Sequence, residues 1–119
     1  MTKIFKVLLA DDHDLMVEGL SELVNSLENF EVIATANNGV QAVKMADWHR
    51  PDLVLMDINM PKQNGIESTE IIKKKWPEIH VLVLTMDGDP ALIRQVMSMG
   101  ASGFLSKTAN RKEMVLGMP

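Results

Sequence analysis

Residues 52–61 read Asp52-Leu53-Val54-Leu55-Met56-Asp57-Ile58-Asn59-Met60-Pro61. Four consecutive apolar residues, Leu53 to Met56, run directly into a carboxylate; Pro61 stops the run, and Asn64-Gly65 marks a turn soon after. A short apolar run bounded by turn signals fits a strand buried on both faces. Asp57 then stands at the C-terminal end of that strand, where open α/β sheets place their ligands. Two roles are open to it: the cap of a turn, for which Asp is well suited, or a nucleophile. The rest of the chain favours the second.

Strands and helices alternate on either side of this stretch. Residues 4–10 read as a first strand, followed by Asp11, Asp12, His13 and Asp14, of which Asp12 or Asp14 is placed to cap the next helix. That helix carries Met16, Gly19, Leu20, Leu23, Val24 and Leu27 as one stripe at 3–4 spacing. Residues 30–36 form a second strand, and Asn38-Gly39 turns into a second helix whose inner face is Val40, Val43 and Ala46, ended near Pro51. After the central strand a third helix uses Ile66, Ile71 and Ile72 and stops before Pro77. Residues 79–85 are the most apolar β run. Asp89-Pro90 pairs a capping side chain with Pro at the first helical position, and Gly100 closes that fourth helix. Ala101 to Lys107 is a fifth strand, and Asn110 with Glu113 resembles a capping box for a short fifth helix. Five strand–helix repeats without linker or internal repeat call for one domain over residues 1–119. Its parallel sheet carries helices on both faces, joined by right-handed crossovers.

Composition narrows the function. The chain has 119 residues, 46% apolar and 24% charged, which suits one soluble domain with one core. A net charge of −4 lacks the basic footprint of a nucleic-acid binder. The absence of cysteine excludes disulfides, thiolate metal sites and Cys nucleophiles. Lys3 and Lys6 precede an apolar run of only Val7 to Ala10, too short and too soon acidic for a signal peptide, and no stretch reaches bilayer length. A cytoplasmic protein without membrane contact is the expectation.

In such a sheet every strand's C-terminal end lies along one edge. The first strand delivers Asp11 and Asp12 there, the third Asp57, the fourth Thr85 and the fifth Lys107. Two carboxylates 4 Å apart repel by roughly 4 kcal/mol at an effective dielectric near 20. Three of them with one lysine remain net negative, so the site invites protonation or a cation. With oxygen ligands the cation is hard and divalent, Mg2+ or Mn2+. With that cation, a Lys point charge and the Thr85 hydroxyl, a phosphate finds what it needs. A carboxylate nucleophile forming an aspartyl phosphate needs no general base. His13, a lone His in an acidic loop, reads as a surface residue rather than as such a base.

The motifs Leu9-Ala10-Asp11-Asp12-His13, Leu55 to Pro61 with Gly65, Leu84-Thr85, and Gly100-Ala101 through Phe104 to Lys107 cover nearly the whole chain. Together they resemble the receiver domain of two-component response regulators, most closely the NarL/FixJ-type transcriptional subfamily. The resemblance implies a flavodoxin-like, doubly wound sheet of order 2-1-3-4-5. It implies that Asp57 accepts a phosphoryl group from a sensor histidine kinase. Asp12, Asp57 and the main-chain carbonyl of Asn59 would ligate Mg2+, with Asp11 assisting through water. Lys107 would contact the phosphate, Thr85 would swing toward it, and Phe104 would change rotamer, although an aromatic in a strand also reads simply as core. Thr85 and Lys107 begin the loops flanking the fourth helix. They would therefore pass the bias to a face of helix four, strand five and helix five, which is also a candidate homodimer surface. Such a domain is a switch rather than an enzyme.

Met86 and Thr108 depart from the family's commoner residues, a smaller side chain and Pro. The short last helix and the missing helix-turn-helix output domain, through which alone DNA would be bound, suggest a receiver fragment; a stand-alone receiver is the alternative. Two other classes are weaker. An aspartate-nucleophile phosphatase would space its acidic pair two apart, not adjacent as in Asp11-Asp12. An FMN binder would not place that acidic loop against phosphate. Lys73-Lys74-Lys75 reads as a solvated helix face, and the ten methionines mostly as core, with Met97, Met99 and Met114 as candidates for an adaptable partner surface.

Overall fold

All of the described strands join in one parallel sheet: β1 (Phe5–Ala10), β2 (Phe30–Ala36), β3 (Leu53–Asp57), β4 (His80–Thr85) and β5 (Gly103–Ser106), in the order β2-β1-β3-β4-β5. The structure is a computed structural model that describes residues 3–58, 65–85 and 90–106. Helices α1 (Asp14–Ser26), α2 (Gly39–His49), α3 (Gly65–Lys75) and α4 (Pro90–Ser98) connect the strands.

Side chains alternate across a strand, and this alternation divides the continuous apolar runs between two cores. Val7, Leu9, Leu53, Leu55, Leu82 and Leu84 face α1 and pack on Leu20 and Val24. Leu8, Ala10, Val54, Met56, Val81 and Val83 face the other way, onto Ala42 and Ala46 of α2, Ile72 of α3 and Val96 of α4. Each fully buried Leu or Val contributes roughly 1.5–3 kcal/mol. A sheet covered on both sides therefore needs strands without polar interruption, and β3 is buried at every position from Leu53 to Asp57.

Several local expectations are corrected. Neither Asp12 nor Asp14 caps α1: the N-cap residue is His13, with no side-chain cap bond, and Asp14 is already helical. There its charge favours the positive end of the helix dipole. On α2, Val40 is 41% exposed, and Gly39, Ala42 and Ala46 are the buried residues. Val43, as expected, packs partly buried against the same core. On α3, Ile72 is buried and Ile66 packs partly buried against the core as expected, while Gly65, Ser68 and Thr69 are also buried and Ile71 is half-buried. β5 is shorter than residues 101–107. Phe104 is 44% exposed, so it is not core.

In the Lys73–Lys75 run, Lys74 and Lys75 are exposed as a solvated face requires, and Lys73 is bound locally. The Lys73 ammonium donates to the carbonyls of Pro77 and Ile79, each at 2.8 Å, and Lys74 pairs with Glu70 at 3.0 Å. Gly100 does hold the left-handed backbone expected after α4, at φ 100°. Met86, Asp89, Thr108, the fifth helix from Asn110 and Met114 lie outside the described residues. No helix among the described residues is long and apolar enough to cross a membrane.

Candidate functional site

Register brings the acids together. Ala10 pairs with Met56 across β1 and β3, so the next residues, Asp11 and Asp57, leave adjacent strands at the same level. Asp57 itself pairs with Leu84, and Thr85 is the residue that follows. Backbone bonds hold the ends: Asp11 N–H donates to the Ala36 carbonyl at 3.0 Å, and Ile58 N–H to the Leu84 carbonyl at 3.3 Å. Asp11, Asp57 and Thr85 are all buried, at 1%, 0% and 3% exposure.

Asp11, Asp12, His13 and Asp57 each offer one ligand atom, and these atoms lie within 4.8 Å of one another. His13 is part of the cluster, which sequence reading placed at the surface. Its ring is largely exposed, yet Nδ1 lies 3.0 Å from Asp11 Oδ1 and 3.1 Å from Asp12 Oδ1. The main-chain N–H of His13 also donates to Asp11 Oδ1 at 2.9 Å. Only the tight turn after β1 folds the ring back, and a single His in an acidic loop carries no sign of that. Asp12 Oδ1 is buried and, among the described residues, accepts no hydrogen bond; the His13 nitrogen is close to it but not aligned for one.

The donor set fits a hard divalent cation. Its carboxylate oxygens are crowded, two of the three acids are buried, and a buried oxygen of Asp12 remains without a hydrogen bond. Buried charge of one sign is costly unless it is paired or coordinates a metal. Of the residues singled out from sequence, Asp11, Asp12 and Asp57 are brought together, and Thr85 follows Asp57's partner on β4. Phe104, on the far side of β4, pairs with Val83. Lys107 and Asn59 lie outside the described residues.

A family model for the response regulator receiver domain matches residues 7–117. The chain belongs to the response regulator receiver family.

Similar receiver domains extend the match. The chain is 44% identical over 110 residues to the transcriptional regulatory protein LnrK of Bacillus subtilis (strain 168), covering 92% of this chain and 50% of that protein. It is 36% identical over 110 residues to the transcriptional regulatory protein DegU of Brevibacillus brevis, covering 92% and 47%. The chain thus spans about half the length of these curated relatives. Among solved structures, the signal receiver domain of the putative response regulator NarL from Mycobacterium tuberculosis superposes with a TM-score of 0.90 at 29% identity. That match covers 96% of this chain and 92% of that one. Receiver domains of response regulators are signalling switches, generally not classical enzymes, and typically bind Mg2+ through acidic residues; this chain carries an Asp cluster at the corresponding sheet edge.

Proposed function

We propose that this chain, a single receiver domain over residues 1–119, is a switch set by phosphorylation of Asp57. The donor is a sensor histidine kinase, and the output is a DNA-binding domain of the kind that transcriptional relatives control. The switch operates in the cytoplasm. The observation that carries it is the fully buried Asp57, held at the end of β3 with Asp11 and Asp12 within 4.8 Å.

An oxygen of the Asp57 carboxylate forms a bond to phosphorus while the bond from phosphorus to the donor's leaving atom breaks. The leaving atom, an imidazole nitrogen of the kinase, departs with the electron pair. Asp12, Asp57 and the main-chain carbonyl of Asn59 would hold Mg2+, with Asp11 assisting through water, and the ion would supply positive charge to the incoming phosphoryl oxygens. Asp57 acts as a carboxylate and needs no base. β3 carries its backbone to the sheet edge, and burial among apolar neighbours shields the acyl phosphate from stray water. Lys107 supplies a point charge to the phosphoryl group and Thr85 a hydroxyl donor. Because Thr85 ends β4, a hydroxyl drawn toward the phosphate pulls on the connection into α4. That shift changes the surface of α4 and β5, where Met97 and Phe104 are both exposed. Phe104 changes rotamer with it, and a second copy of the phosphorylated chain binds this face.

Incubation with a small acyl phosphate and Mg2+ should add a single phosphoryl group by intact mass, and none to Asp57→Asn. Equal labelling of the Asn variant would move the site elsewhere. Lys107→Ala should still bind Mg2+ but lose any phosphorylation-dependent self-association, read by light scattering. Equal dimerisation of both phosphorylated proteins contradicts the role given to Lys107.

A further inference from the structure

Gly65 opens α3 and is buried against the strand that carries Asp57. A Cβ at this position would stand 2.5 Å from Ile58 Cα and 2.8 Å from the carbonyl carbon of Asp57, and closer still to the Asp57 carbonyl oxygen. All three are backbone atoms, so no rotamer change relieves the overlap. By contrast, a Cβ at Gly19 meets nothing within 4 Å, and one at Gly103 meets only the tip of Leu82, at 3.1 Å. Among these three glycines, Gly65 alone touches the main chain of the residue assigned to the chemistry.

We infer that Gly65 is a positioning residue for Asp57: its missing side chain lets α3 rest directly on the Asp57–Ile58 peptide and so fixes where the carboxylate points. This rests on the phosphoacceptor reading above. Two sets of bonds decide which side yields if a methyl is added. α3 is tied down on its inner face: Ser68 Oγ donates to the Gly39 carbonyl of α2 at 3.0 Å, and Ile72 is fully buried. Its first turn is stiffened by Thr69 Oγ1, which donates to the Gly65 carbonyl at 2.7 Å. The end of β3 is held more loosely. Ile58 N–H, one residue past β3, reaches the Leu84 carbonyl at 3.3 Å, long beside the usual 2.9–3.0 Å. The strand end therefore gives way before the helix does. Relief to ordinary contact needs about 1 Å, and a misplacement of that size costs about 100-fold in rate.

The test compares Gly65→Ala with Gly103→Ala, which also crowds the core but does so against a side chain away from Asp57. Labelling by acetyl phosphate at saturating Mg2+ is followed by intact mass over a range of donor concentrations. The rate is expressed per folded molecule, with the fold monitored by circular dichroism. Gly65→Ala should lose about 100-fold in maximal rate with little change in half-saturating donor, while Gly103→Ala keeps the wild-type maximal rate. Equal maximal rates for Gly65→Ala and wild type overturn the assignment. If Gly65→Ala does not fold in buffer, the comparison is made in trimethylamine N-oxide, which favours the compact state. A chain still unfolded there shows that the glycine serves the fold and not the carboxylate, and this too overturns it. Failure of the wild type itself to label at Asp57 is a different result: it removes the phosphoacceptor reading and leaves Gly65 no reaction to position.

Discussion

The guanidinium of Arg50 lies 4.8 Å from the centre of the Trp76 ring, while Arg50 itself holds a left-handed backbone at φ 45°. Arg50 ends α2, and its side chain also reaches back to Asp47, donating to the carbonyl at 3.0 Å and to the carboxylate at 3.1 Å. The left-handed region costs a side-chain-bearing residue about 1–2 kcal/mol, and the stacking on Trp76 returns about 0.5–1 kcal/mol. Arg50→Ala keeps the backbone cost and loses the contacts, so it should destabilise by about 1–2 kcal/mol. Arg50→Gly loses the same contacts but sheds the backbone cost, and should unfold in urea at about 1 kcal/mol above the Ala variant. Identical midpoints for the two would show that the turn stores no strain.

Gly19 sits on the outer side of α1, where an added methyl meets open space. Gly19→Ala should therefore stabilise by about 0.5–1 kcal/mol through helix propensity alone, seen as a higher urea midpoint with an unchanged slope. A loss of stability would mean that the position carries a packing role that the structure does not show.

Lys73 and Lys74 look alike in sequence and differ in bonding. Lys73 holds two carbonyls beyond the end of α3, whereas Lys74 pairs with Glu70 in solvent. Lys73→Met should cost about 1–3 kcal/mol, and Lys74→Met no more than about 0.5 kcal/mol. Equal effects on thermal melting would refute the distinction.

Metal should invert the effect of removing Asp57. Without a divalent ion the three acids repel one another, so Asp57→Asn should be more stable than wild type in EDTA, by about 1 kcal/mol or more. With Mg2+ at 100 times its dissociation constant, wild type should gain about 2.7 kcal/mol. The variant should gain much less, and the order of the two melting temperatures should reverse. Melting temperatures that keep their order in both conditions would argue against a shared cation site at Asp11, Asp12 and Asp57.

The alternation of apolar runs with helical stripes, read from 119 residues, was enough for a parallel α/β sheet with Asp57 at the end of its central strand. It sufficed because β3 and β4 are buried on both faces, and such strands must be written as unbroken apolar runs. The acidic cluster was legible for a related reason: strands that run parallel deliver all their C-terminal ends to one edge. What tertiary structure alone decided were contacts between groups far apart in sequence or hidden by type. Val40 is exposed, while Ala42 and Ala46 take the buried positions on α2. His13 turns into the acids because of the turn it occupies. The place of Gly65 against Asp57 is a property of two backbones in space. Periodicity records which face of an element is apolar, but how closely two elements approach depends on the side chains of both, and no one-dimensional pattern carries that distance.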